Sequence, residues 1–593
     1  MRFPNHSNWP DWLAAGALGL MLTAPFLLAH HHVPLTAFYQ EWWAAAFGLI
    51  ASAFLLLRRF GHGLEIPELT LLPLGLLIIA GLQWLFAEAA IGSRLALFAL
   101  YLLWAMLMLV LGRQLASTWG LARLMTALAW ALLAGALLTA LSGLLQLHGG
   151  IGLPWVFPHF PDTGVRGNLA QNNSFNHVLW LGIGAALYLR GQLLLARPLT
   201  AAAMMVLIVF SLFSGSRSTW LYAFGIATLG LWCAWRWPEQ VEMRRLRRWS
   251  LAVLIGALVS QGLIVSDALA PLMQLVGADS GRRLVASGGD PMRLALWKAA
   301  WLTGRDHLWL GGGIGQYTWQ FYLHVLDLMP TRLLAVPEHA HNIALHLFAE
   351  AGLPALLLLI VCAWRWLAPF LRQAWTPAYW YGAATLLVIA LHSGLEYPLW
   401  YSFFLGPAAL FAGALSPRNI VLRPTPALQP LMRPALALAL LAGGIVLATL
   451  LRDYSTLEDA VNDRLGARTE SERQQLYDEA VASLAGSPFR PYFDLVAAAT
   501  QPETPENLAA KLDLCERAMR FSATRMMVFK CAHLQMLAGD REGARLSLRR
   551  AVAAYPAEAE SILSQWQARA ANEPALALLL ADFPAIVPVA VRR

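Results

Sequence analysis

Three histidines and two glutamates crowd the start of one apolar run: Glu338, His339, His341, His346 and Glu350 in "VPEHAHNIALHLFAEAGLPALLLLI", which begins at Val336. Ionisable groups so close to a stretch able to enter a bilayer are expensive and call for a reason. His341 and His346 are five residues apart, about 140° round a helix, so they do not share a face. His346 and Glu350, four apart, do share one, and a mutual hydrogen bond is the expected use of both. The His-Glu-x-x-His pattern is absent, and no metal is expected here. His341 stands at the mouth of a helix beside Asn342, and Gly352-Leu353-Pro354 breaks the helical pattern further on. Residues 341–351 therefore read as a short amphipathic helix at the interface, with the span proper starting near Leu353. An imidazole at an aqueous–apolar boundary can accept a proton near pH 7, which makes His341 the candidate general base.

Two arginines fit the same theme. Arg217 in "SGSRSTW" stands at the mouth of an apolar run, and Arg293 precedes the amphipathic stretch "RLALWKAAW". A guanidinium clamps phosphate bidentately and stays charged everywhere. Together with His341 they suggest the handling of a lipid diphosphate. Other motifs lead elsewhere. "GGGIGQY" from Gly311 lacks the Gly-Lys-Ser/Thr of a phosphate loop and reads as a flexible turn. "SGSRSTW" has the wrong order of Gly and Ser for a nucleophile elbow.

The elements that must position these residues are membrane helices. The chain of 593 residues is 58% hydrophobic and 13% charged, against roughly 25% charged in soluble proteins. The net charge of +8 comes almost wholly from arginine, without the polar basic stripe that nucleic acid requires. Apolar runs fall near 12–29, 42–57, 69–87, 94–112, 121–147, 174–189, 198–213, 218–236, 250–266, 353–370, 378–393, 397–416 and 431–451. The expected fold is all-α: a polytopic membrane protein of about 12–13 transmembrane helices. Arg58, Arg59, Arg113, Arg123, Arg190, Arg197, Arg236 and the "RRLRR" run at 244–248 fall on one side, and the short loops of the other side hold only Arg94, Arg166 and Arg217. The basic side faces the cytoplasm. The long loop 267–340 and the tail from about 452 then lie outside, in the periplasm of a Gram-negative host, and any outside arginine is a candidate for function.

Domain expectations follow: 1–451 as the membrane domain including loop 267–340, and 452–593 as a periplasmic helical domain. In the tail, Ala532, Gly539, Ala544, Leu548, Ala551 and Pro556 fall at tetratricopeptide-like spacings. Such a domain binds a partner or packs on the loop. Cys515 and Cys531 lie in this tail, and their pairing is open from sequence.

"RGNLAQNNSFN" (166–176), "SGSRSTW" (214–220), "DPMRLALWKAA" (290–300), "HNIALHLFAEAGL" (341–353) and "HSGLEYPLWYSFFLGP" (392–407) resemble the bacterial O-oligosaccharyltransferases of the PglL type, which share a superfamily with O-antigen ligases and polymerases. One departure stands out: Asn172, Asn173 and Ser174 follow Gln171 where that family usually has Pro and then Asn-His. The resemblance implies an undecaprenyl-diphosphate-linked oligosaccharide as donor and a hydroxyl of a periplasmic, pilin-like protein as acceptor, in the inner membrane and without a cofactor. It implies that Gln171 and Tyr397 orient sugar or diphosphate and that Glu396 holds an arginine. Asn168, grouped with the substrate-facing residues, reads as the cap of the helix that starts span six. Two other functions are weighed against protein glycosylation. An O-antigen ligase or polymerase shares the chemistry with a different acceptor. A transporter of the lipid-linked sugar would place charges along a central path, whereas the polar residues here gather at the outer face.

Overall fold

The computed structural model describes residues 9–57, 63–87, 91–148, 153–160, 163–266, 269–277, 291–328, 336–423, 425–466 and 469–581. Each apolar run carries a helix, from Trp9–Met21 to Gln429–Gly466. Among the described residues six helices are long and apolar enough to cross a membrane: Phe38–Leu57, Glu68–Phe86, Gly92–Trp119, Leu121–Leu147, Ile343–Leu371 and Gln429–Asp463. Asp11–Leu27, Arg197–Phe213 and Ser402–Ala414 are apolar but shorter.

The all-α expectation misses one feature, an antiparallel ribbon of β1 (Leu64–Pro67) and β2 (Asn419–Leu422) with Leu64 opposite Leu422. It joins two loops that each follow an apolar run, where the polar backbone of a short connection needs partners. The chain divides into two compact units, one of Met1–Leu74, Tyr101–Gly288 and Ile360–Thr449, the other of Gly75–Leu100, Gly289–Leu359 and Leu450–Arg593.

In the first unit the helix Asn172–Gly191 is central, buried from Ser174 to Gly191. It packs against Leu121–Leu147, Arg197–Phe213, Ser218–Arg236, Val241–Ile264 and Pro377–Ser393. Its first turns hold Asn172, Asn173, Asn176 and His177, a polar load that is tolerable because protein rather than lipid surrounds it. The loop ends of this unit meet in two groups. At the basic ends, Trp119 Nε1 donates to Asp11 Oδ1 at 2.9 Å, Arg113 pairs with Glu65 at 2.6 Å, and the ribbon joins two loops. At the opposite ends, Asn168 Nδ2 donates to the carbonyls of Leu27 (2.7 Å) and Trp155 (2.8 Å), and Asn168 Oδ1 accepts from Phe157 N–H (3.0 Å).

In the second unit the loop expected at 267–340 is partly helical, with Pro291–Asp306 and Tyr317–His324. The tail is a run of short helices packed in sequence order from Arg490–Thr500 to Pro574–Ala581. The repeat spacing becomes a hairpin of Arg525–Leu537 and Arg541–Ala554: Ala532, Ala544, Leu548 and Ala551 are buried, and Gly539 turns the chain between them. Cys515 and Cys531 form a disulfide. The tail packs on the loop segment through Tyr322 Oη, which donates to Ser547 O at 3.1 Å, and through Tyr555 Oη, which accepts from Val336 N–H at 3.3 Å.

Candidate functional site

The second unit holds His341 and Arg293. Asn342, not His341, starts the helix: its Oδ1 accepts from Ala344 N–H and Leu345 N–H, both at 3.1 Å, as an N-cap. His341 therefore sits one residue outside the helix, with φ 52°, a left-handed conformation few residues other than glycine adopt. Helix Ile343–Leu367 is then interrupted at Gly352 (φ 76°, ψ −174°), where the sequence shows its break.

That break leaves carbonyls without helical partners. Pro354 has no N–H to offer Glu350 O, and Leu353 N–H turns away to donate to Leu308 O at 2.8 Å. The glycine-rich loop answers the deficit. Gly312 N–H donates to Ala349 O at 2.7 Å and Gly313 N–H to Glu350 O at 3.2 Å. Gln83 Nε2 donates to the same Glu350 carbonyl at 2.7 Å, and its Oε1 accepts from Ile314 N–H at 3.0 Å. A Cβ at Gly311 would lie 2.2 Å from the Glu350 carbonyl carbon, so only glycine lets the loop come this close. "GGGIGQY" is thus neither a phosphate cradle nor the flexible turn expected of it. It is the seat of the broken helix.

The three histidines now separate. His346 is buried, with Nδ1 accepting from Ala340 N–H at 3.2 Å and Nε2 3.1 Å from Glu350 Oε2, the pair anticipated from their spacing. Glu350 Oε1 accepts from Tyr317 N–H at 3.0 Å. Burial, with His346, His341 and Arg94 nearby, holds His339 well below the ordinary histidine pKa and therefore neutral. His341 is only partly buried. Arg94, one of the arginines expected outside, is engaged structurally: it donates to Gly315 O and Phe521 O and lies 4.2 Å over the Phe521 ring. Arg293 is the third residue of helix Pro291–Asp306 and is partly exposed.

The first unit holds the other candidates. Arg217 immediately precedes helix Ser218–Arg236 and is partly exposed. Both candidate arginines thus stand where a helix dipole is positive, an end that favours an anion by about 0.3–1 kcal/mol. The cap of the central helix is Gln171, whose Oε1 accepts from Ser174 N–H at 2.5 Å, and not Asn168 as expected. Asn168 instead ties together the turn Gly167–Leu169 and the loop at Trp155–Phe157, because its amide can serve three backbone groups at once. Glu396, assigned to an arginine, accepts from Asn173 Nδ2 at 2.9 Å. Tyr397 lies beside Tyr401, with ring centroids 5.9 Å apart and the planes tilted by 38°.

Asn173 opens a hydrogen-bond chain that sequence reasoning missed. Ser216 Oγ donates to Asn173 Oδ1 (2.6 Å) and meets Ser218 Oγ (2.7 Å). Asn176 Nδ2 donates to Ser218 Oγ (3.0 Å), Ser211 Oγ to Asn176 Oδ1 (2.6 Å), and Trp180 Nε1 to Ser211 Oγ (2.8 Å). The chain runs from the Glu396 carboxylate into the core of the unit. Beside it, His177 and His392 meet through their Nδ1 atoms, fully enclosed. The signal was present in "NNSFNH" and "SGSRST", polar runs at the mouths of apolar spans, but their partners are far away in sequence.

Residues 202–360 match the family described as O-Antigen ligase, and residues 380–569 match the one described as "Virulence factor membrane-bound polymerase, C-terminal". Two separate stretches of the chain thus resemble membrane proteins that handle O-antigen glycans. The chain is also similar to a protein of Acinetobacter baylyi named general O-oligosaccharyltransferase, with 26% identity over 409 residues, 67% of this chain and 68% of that one. Arg217, Arg293 and His341 all fall inside the O-antigen ligase match, and Glu396 and Tyr397 inside the other. The long apolar helices make this a multi-pass membrane protein, and the matches point toward glycosyl transfer.

Proposed function

We propose that the enzyme carries out O-linked protein glycosylation. It transfers a preassembled oligosaccharide from undecaprenyl diphosphate to a serine or threonine hydroxyl of a periplasmic protein such as a pilin. The observation that carries this reading is the likeness, across two thirds of both chains, to a relative named general O-oligosaccharyltransferase.

In the proposed reaction His341 takes the proton of the acceptor hydroxyl. The freed oxygen attacks the anomeric carbon, and the bond from that carbon to the diphosphate oxygen breaks. The electron pair leaves on undecaprenyl diphosphate. A diphosphate is a good leaving group once its charge is stabilised, so Arg217 and Arg293 serve without a metal and without the carboxylic acid a glycosidase needs. Gln171, Tyr397, Glu396 and Asn168 shape the substrate side, Gln171 by capping the central helix and Asn168 by tying the turn before it to the loop at Trp155–Phe157. The Cys515–Cys531 disulfide supports an oxidising compartment, hence a periplasmic tail and site in a multi-pass inner-membrane protein.

The match to O-Antigen ligase favours a second reading, in which the acceptor is another glycan. Intact-mass analysis of periplasmic proteins, in cells that make a lipid-linked glycan with and without this enzyme, separates the two. A glycan-sized mass on a pilin that depends on the enzyme supports protein glycosylation. Transfer to lipid A core in its place supports the ligase.

A further inference from the structure

His346 and Glu350 do nothing in the proposed reaction, yet they are buried beside the residue that does. The contacts of this pair form a series that ends at the His341 backbone. Glu350 Oε1 is occupied by Tyr317 N–H at 3.0 Å, which turns Oε2 toward His346. Oε2 lies 3.1 Å from His346 Nε2, and a carboxylate that close favours the tautomer with the proton on Nε2. His346 Nδ1 is then bare and can accept, and it accepts from Ala340 N–H at 3.2 Å. Ala340 is fully buried and is the residue before His341. The peptide between them is thereby held from one side by His346. From the other side the Asn342 cap holds it, with Oδ1 on Ala344 N–H and Leu345 N–H. Between these anchors His341 takes its left-handed φ of 52°.

We infer that Glu350 and His346 form a positioning pair: the carboxylate fixes the imidazole tautomer, and the imidazole fixes the backbone turn that presents His341 to the acceptor hydroxyl. The inference rests on the reading of His341 as general base. It goes beyond it by assigning two buried residues, neither of which touches substrate, to the geometry of the transfer step.

Three substitutions test it through different atoms. An asparagine oxygen can stand in for imidazole Nδ1, and a glutamine nitrogen for Nε2. His346→Asn thus keeps the acceptor for Ala340 N–H and gives up the contact with Glu350, and His346→Gln does the reverse. Glu350→Gln keeps its oxygen on Tyr317 N–H and turns an amide N–H toward Nε2, which forces the proton onto Nδ1 and ejects Ala340 N–H. Misplacement of a reacting group by about 1 Å can cost about 10²-fold. Transfer by purified enzyme in detergent, with the lipid-linked donor varied, should give a kcat about 10²-fold down for His346→Gln and Glu350→Gln. The KM for donor should not change, and His346→Asn should stay within about tenfold of wild type. Thermal unfolding of each variant guards against simple loss of fold. Should one variant melt below the assay temperature, the same assay repeated on ice gives the comparison.

Equal losses in His346→Asn and His346→Gln, or better retention by glutamine, overturn the positioning pair. So does a loss confined to KM. His341→Ala is measured alongside. If it keeps wild-type turnover, the general-base reading fails and the pair has nothing to position. If it is inactive while the asparagine and glutamine variants agree, the positioning pair alone fails.

Discussion

Replacing Gly352 by alanine should damage the second unit more than the same change at a positive-φ glycine with open space around it. Gly352 has φ 76° and ψ −174°, a region essentially reserved for glycine, and a side chain forced there costs about 1–3 kcal/mol. Its new Cβ would also lie 2.7 Å from Leu308 O and 2.8 Å from the Trp309 carbonyl carbon, both backbone atoms that cannot rotate away. Pushing Leu308 aside loses the bond from Leu353 N–H, worth about 0.5–1.5 kcal/mol. The sum is about 2–4 kcal/mol. At roughly 2–4 °C per kcal/mol for a domain of this size, the melting temperature should fall by ~4–16 °C. Gly539→Ala is the control. It also has a positive φ (84°), but nothing lies within 4 Å of its Cβ, so only the backbone strain remains. Unfolding in detergent, followed by intrinsic tryptophan fluorescence, reads both. A Gly352→Ala protein no less stable than Gly539→Ala would refute the account of the glycine loop as the seat of the broken helix.

Other outcomes follow from the same structure. Arg217→Lys and Arg293→Lys should each lose most transfer activity, because lysine offers a point charge in place of a planar fork. Loss of one partner of a desolvated charge pair costs roughly 2–5 kcal/mol. EDTA should leave wild-type transfer intact, and rescue of an EDTA-inhibited enzyme by Mg²⁺ or Mn²⁺ would assign the diphosphate to a metal instead. Asn173→Ala takes one hydrogen bond from Glu396 and one from Ser216, so it should destabilise the first unit by about 1–3 kcal/mol in the same unfolding assay. An unchanged melting temperature would deny the chain a structural role. In the tail, burial works to raise the Glu503 pKa, but the hydrogen bond and charge of His533, with Lys530 and Arg569, outweigh it and hold the carboxyl below its ordinary value. A depressed carboxyl contributes stability above its unfolded pKa and loses it as pH falls through the folded one, from about pH 4 downward. Glu503→Gln should therefore flatten the acid side of the stability curve, and an unchanged slope would count against it.

The legible parts of the sequence were the local ones. Apolar runs became helices, the i,i+4 spacing of His346 and Glu350 became a pair at 3.1 Å, and Gly352-Leu353-Pro354 became a real break. The cap of the central helix was missed by three residues, because Asn168 and Gln171 both carry an acceptor at the mouth of the span and only the fold decides which one turns inward. The glycine-rich loop was read as flexible because its partners, the orphaned carbonyls of Ala349 and Glu350, lie some 37 residues away along the chain and exist only once the helix has broken. The link between Asn173 and Glu396 spans 223 residues, and neither end marks the other. The ribbon of Leu64–Pro67 with Asn419–Leu422 was hidden for the same reason.

The central claim, glycan transfer from a lipid diphosphate to a protein hydroxyl with His341 as base, is tested most directly with purified components. Wild-type enzyme and His341→Ala are incubated in detergent with an undecaprenyl-diphosphate-linked oligosaccharide and a pilin, and the pilin is weighed by intact-mass spectrometry. The account predicts a pilin heavier by one oligosaccharide with the wild type and a rate lower by about 10²–10⁴-fold with His341→Ala. A pilin that stays unmodified under conditions where the same enzyme glycosylates lipid A core, or equal rates from the two enzymes, would contradict it.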